Sequence, residues 1–175
     1  MKTRVTLTFS IALLLGLVSL SHAQLRAGSP EDAAYTKIEA ETNSDAKLAL
    51  LLDFEKQFPT TSPRTLATIY LMAMDIYSEK DNKPKIAEYG DKAIAKDPDN
   101  VSALLRVSRN YSAERTNLAK AVEYAEKAKT LIGTMRAQPT PTGQSDEQWK
   151  QWLDGNAQSA EQYSSYAKML QATFR

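Results

Sequence analysis

Few residues in this sequence can exchange protons, attack a substrate or hold a metal. There is no cysteine and one histidine, His22. Without thiols the chain can form no disulfide, thiolate nucleophile or zinc–thiolate site. His22 falls in a segment read below as a removable leader. The rest of the chain then also lacks the usual general base for a serine nucleophile. Carboxylates remain. Asp97-Pro98-Asp99-Asn100 has the oxygen-rich look of a calcium loop. Ser102 stands where such a loop needs glycine, and Ser108 where it needs a chelating glutamate. The stretch reads instead as the stop of one helix and the cap of the next. The six glycines form no phosphate-cradling run. Trp149 and Trp152, three apart with Leu153 beside them, are either ligand anchors or packing residues of a terminal helix, and packing is the preferred reading. The inventory assigns no catalytic residue, no metal site and no cofactor. A carboxylate-dependent hydrolase is kept as a remote alternative.

Charge narrows the partners. Of 175 residues, 22 are basic and 21 acidic, for a net charge of +1. With Lys2 and Arg4 of the leader set aside, the balance falls just on the acidic side. Nothing here draws the chain electrostatically to nucleic acid or to an acidic membrane.

Residues 1–23 read as a secretory signal peptide. Lys2 and Arg4 start it, residues 5–20 are largely apolar, and Ser21-His22-Ala23 places small residues for cleavage before Gln24. The alternative is an uncleaved anchor, although the apolar run is short for a span of about 20 residues. The expected address is the bacterial periplasm, with a secreted or signal-anchored protein as the other options. No stable membrane insertion is expected after cleavage.

Beyond a short leader (residues 24–28) the apolar spacing is helical throughout, with no sustained strand alternation. Ser29-Pro30 and Ser62-Pro63 have the cap-plus-proline form of helix starts. Ser44 is expected to cap the second helix and Gly133 to stop the sixth. Residues 134–144, with Pro139-Thr140-Pro141, read as a linker. Ser145 and Gln148 form a capping-box pattern that opens a terminal helix over residues 145–175.

One stretch occurs twice. Lys85, Glu88, Tyr89, Lys92 and Ala93 recur as Lys120, Glu123, Tyr124, Lys127 and Ala128, always 35 positions apart. A fixed period of 20–50 residues is the mark of stacked repeat units. With antiparallel helix pairs at this period, the sequence resembles the tetratricopeptide repeat (TPR) family. Leu104, Ser108, Tyr111, Ala93 and Pro98 take that family's bulky, small, tyrosine, small and proline positions, and Tyr70 and Tyr77 take two of them one unit earlier. Met74, Ile86, Gly90 and Gly133 depart from the pattern. Residues 67–98 and 101–133 are the clear units, residues 29–59 a degenerate one, and residues 145–175 a derived capping helix.

The resemblance implies an all-α, right-handed superhelix of antiparallel helix pairs, a TPR-like α-solenoid. It implies a non-catalytic scaffold that binds a protein or peptide on its concave face. The alternative is a structural component of a cell-envelope complex, docked or self-associated through the ends of the stack. Carried over by position, the concave face comprises Thr68, Leu71, Met72, Asp75 and Ser78, then Ser102, Leu105, Arg106, Arg109 and Ser112. Arg106 and Arg109 are neighbours on one helix face, and their planar cations suit a carboxylate or a peptide backbone. The lysine and asparagine of the family's chaperone-tail clamp are absent, since Leu71 and Asp75 hold those places.

Overall fold

A computed structural model describes residues 25–173. The expected signal segment, Gln24 and the last two residues lie outside the described residues. Within them the chain is all-helical, with seven helices and no strand. They are α1 (Pro30–Ala40), α2 (Ser44–Gln57), α3 (Pro63–Glu79), α4 (Lys83–Lys96), α5 (Val101–Ala113), α6 (Leu118–Arg136) and α7 (Asp146–Thr173).

Polar caps set where these helices begin. Ser29 and Ser62 accept from the backbone N–H groups of Asp32 and Thr65, each ahead of a first-turn proline. Such caps satisfy donors that the helix cannot, each worth about 1 kcal/mol. Asn100 caps α5 by accepting from Ala103 N, while Asp97 closes α4 and accepts from Asn100 Nδ2 at 2.9 Å. The acidic stretch is thus a helix junction. Ser145 and Gln148 form the reciprocal capping box, at 3.2 and 3.1 Å.

Two expectations are corrected. Asn43, not Ser44, caps α2, its side chain accepting from Ala46 N. Ser44 is instead the first helical residue, and its hydroxyl donates to Glu79 Oε2 at 2.8 Å. Gly133 does not stop α6, which runs on to Arg136. A glycine costs a helix roughly 1 kcal/mol, and here its neighbours outweigh that: Ile132 is buried, and Leu131 and Met135 pack against the core.

Each helix packs on the next in order, and α3 with α5 and α5 with α7 also pack side by side. Among the described residues no helix packs on another more than two places away. Alanines allow close approach where helices pair: Ala73, Ala93, Ala121, Ala125 and Ala128 are fully buried. Ser108, also fully buried, donates to Ala121 O at 2.7 Å and joins α5 to α6. A buried hydroxyl is tolerated when paired in this way. Tyr111 fills the space between α4, α5 and α6. Its hydroxyl lies 2.9 Å from both Ala87 O and Asp91 Oδ1, and Tyr124 donates to the same carboxylate oxygen at 3.2 Å. Lys120 pairs with the other oxygen of Asp91. Burial, and then the Asp91 charge, push both phenols far above their ordinary range. They therefore stay neutral donors.

The repeated lysine is more than a solvated surface charge. Lys92 pairs with Glu55 of α2 at 3.1 Å and lies over the Tyr89 ring, 4.5 Å from its centroid. Its copy Lys127 pairs with Asp99 at 2.9 Å. Trp149 and Trp152 stack on each other, centroids 5.0 Å apart and planes 9° from parallel, and both pack against the core. That is the packing reading of the pair.

Candidate functional site

The ten residues carried over to the concave face lie on α3 and α5, which pack side by side. They divide by burial. Leu71, Leu105 and Ser112 are buried. The first two belong to the core, and the Ser112 hydroxyl donates to Ser108 O at 2.9 Å. Ser112 presents no side chain to a partner. Leu71 packs into the core, and Leu105 keeps only a small exposed edge. Thr68 donates to Arg64 O at 3.1 Å, and Ser78 to Glu114 Oε1 at 3.2 Å. Met72 is half-buried against the core.

Asp75 and Arg106 form an ion pair between α3 and α5, and Asn110 Nδ2 donates to the other Asp75 oxygen at 3.1 Å. Burial, and then the neighbouring Arg109 charge, lower the Arg106 pKa from its ordinary value. A guanidinium starts so high that it stays charged. Arg106 is thus committed to holding the two helices together. Arg109, three residues on, is exposed, and among the described residues it has no ion-pair partner.

The structure brings Ser102, Leu105, Arg106 and Arg109 together with three residues that sequence reasoning did not include. Asn156, Ser159 and Tyr163 of α7 form the opposite wall of a solvent-open depression of about 270 Å³. Their spacing of three and four residues puts them on one helix face, a signal present in the sequence. What the sequence lacks is any mark that this face of α7 meets α5. Thr68, Leu71, Met72, Asp75 and Ser78 do not line the depression. No acidic residue lines it either. Asn156 Nδ2 donates to Trp152 O at 2.7 Å and Ser159 Oγ to Gly155 O at 2.9 Å, both within α7.

A second open depression of about 380 Å³ lies where α3 begins and α4 ends, lined by Ser62, Pro63, Arg64, Lys96 and Asp97. Its charges are partly spent, since Arg64 Nε lies 3.5 Å from Asp97 Oδ2. Among the described residues no group of three or more His, Cys, Asp or Glu is placed to hold a metal ion. Among them, too, no helix is long and apolar enough to cross a membrane. The arrangement at α5 and α7 offers cationic and hydroxyl groups around an apolar floor, which suits recognition of a polar segment. No family model, characterised protein or solved structure matches this chain.

Proposed function

We propose that this chain is a TPR-like α-solenoid that binds a protein or peptide on the face formed by α3, α5 and α7, without covalent chemistry. The observation that carries the reading is a recurrent offset in its polar contacts. Asp75 of α3 meets Asn110 of α5, 35 residues on, and Ser78 of α3 meets Glu114 at the end of α5, 36 on. Both contacts join the first helices of successive pairs at about one repeat period, as stacking of similar units requires. The restriction of packing to nearest and next-nearest helices supports the same architecture. So does the contact of Ser108 with Ala121, at the two positions where the family keeps small residues.

In this reading α1 with α2, α3 with α4, and α5 with α6 are three units, α7 caps the last, and the stack is a right-handed superhelix. The first helices line its concave side. The basic start and cleavage pattern of residues 1–23 support export, with the periplasm as the destination. Photo-crosslinking tests the platform directly. A crosslinking residue at Met72 or Ser102 should capture a partner protein, and one at Glu123 on α6 should not. Equal capture from both faces would reject the concave site.

A second reading, an assembly component of an envelope complex, draws on the outer side of α7. Tyr166 and Met169, three apart there, are 42% and 54% exposed. Stoichiometric recovery of a membrane complex that is lost on Tyr166→Lys with Met169→Lys would favour it over the platform.

A further inference from the structure

We propose that the depression between α5 and α7 receives an acidic side chain of the bound polypeptide, with Arg109 as its ionic anchor and the Ser102 and Tyr163 hydroxyls as neutral donors. This rests on the platform reading and names the chemistry it selects.

Three observations converge on one small volume. Arg109 is exposed and has no ion-pair partner among the described residues, whereas its neighbour Arg106 is held by Asp75. Ser102 and Tyr163 line the same depression, and neither hydroxyl has a hydrogen-bond partner among the described residues. No carboxylate lines the walls to compete. The nearby acids of α7 are engaged elsewhere: Asp154 with Arg136 and Lys150, and Glu161 with Lys129. The depression therefore offers donors and positive charge without an internal anionic acceptor for them. A carboxylate supplies what is missing, since it accepts at two oxygens and can take a guanidinium in bidentate form.

Size sets the scale of the ligand. At about 270 Å³ and open to solvent, the depression falls just below the roughly 300–1,000 Å³ of sites that enclose a small molecule. It suits a side-chain anchor on a longer segment better than a cofactor. Leu105 at its floor gives the aliphatic stem of a glutamate an apolar surface to lie on. The hydroxyl of Tyr163 comes from α7, so the site exists only when the terminal helix is docked. That helix thereby becomes a wall of the binding site as well as a cap.

The test is an NMR titration of the purified protein with three blocked tripeptides. Acetyl-Ala-Glu-Ala-amide carries only a side-chain carboxylate, and acetyl-Ala-Gln-Ala-amide is its neutral isostere. Acetyl-Ala-Ala-Ala with a free C-terminus carries only the terminal carboxylate. The glutamate probe should shift the Arg109 Nε–H signal and the backbone signals of Ser102 and Tyr163, and bind about tenfold more tightly than the glutamine probe. Arg109→Gln should abolish that difference, and Tyr163→Phe should reduce it with the melting temperature unchanged. Stronger binding of the free C-terminus than of the glutamate probe would overturn the side-chain assignment. Equal shifts from glutamate and glutamine probes would overturn the anionic anchor while leaving the platform standing. Absence of any shift on α3 and α5 would count against both.

Discussion

The hydroxyl of Tyr111 on α5 sits over Gly90 on α4, 2.8 Å from the point that a Cβ on that glycine would occupy. Val107 Cγ1 lies 3.0 Å from the same point. Gly90, a departure from the repeat pattern by sequence, is thus the residue that lets the tyrosine reach Ala87 O and Asp91. Gly90→Ala should gain up to about 1 kcal/mol of helix propensity and lose about 1–3 kcal/mol to overpacking, for a net loss. In a Tyr111→Phe background, which removes the closest atom, the loss should shrink. A double-mutant cycle in urea measures this coupling, and additive losses would show that the two residues do not share the space.

Gly155 gives the opposite sign. It lies in the middle of α7, and a Cβ there would meet nothing within 4 Å. Gly155→Ala should stabilise the protein by roughly 0.5–1 kcal/mol through helix propensity alone. Thermal melts of this variant beside Gly90→Ala would separate the two environments.

The terminal helix should be indispensable. Leu153, Ala160, Ser164, Ala167 and Leu170 of α7 are buried, and α7 packs against both α5 and α6. Deleting residues 144–175 uncovers α6 and one side of α5. The product should aggregate or lose cooperative melting, which calorimetry with light scattering would record. A monomeric truncation with a sharp transition would contradict this.

Acid should loosen the same contact. Glu126 of α6 accepts from Lys168 Nζ at 2.7 Å and from Ser164 Oγ at 2.6 Å. These bonds hold its carboxyl below the ordinary value of 4.5, outweighing the opposing effect of burial. A carboxylate with a lowered folded pKa contributes stability in full above its unfolded pKa, and loses it as pH falls through the folded one. The contribution should therefore be intact at neutral pH and fade below about pH 4.5. Because the pair is exposed, the effect is small. Glu126→Gln should melt lower than the wild type at neutral pH, and the gap should close on acidification.

Much of this fold was legible in the sequence because its signals are local. Ser29, Ser62, Asn100 and the Ser145–Gln148 pair act within three residues of themselves, so their helix starts follow from side-chain chemistry alone. The misreadings have physical causes. Asn43 and Ser44 are both good caps, and nothing in the local sequence separates them. Gly133 carries a real local cost, which the packing of Leu131, Ile132 and Met135 overrides. The candidate face was harder to read. Repeat position assigns Leu71 and Leu105 to the face, yet their burial depends on neighbouring helices. The α7 wall depends on contacts such as Glu126 with Ser164 and Lys168, 38 and 42 residues away, which no local pattern encodes.

If partners bind the face of α3, α5 and α7, Arg109 is the residue whose loss they should feel most directly. Reversing Arg106 would set a new carboxylate beside Asp75 and break the bond between α3 and α5. Arg109 can be reversed without that damage. Partner recovery from a cell-envelope extract should be compared for wild type, Arg109→Glu and, as a control on α6, Glu123→Arg, with melting temperatures measured alongside. Recovery should fall about tenfold or more for Arg109→Glu, as expected for losing a charge-assisted contact and facing a like charge. It should hold for Glu123→Arg, and all three proteins should melt alike. Undiminished recovery with Arg109→Glu would contradict the account.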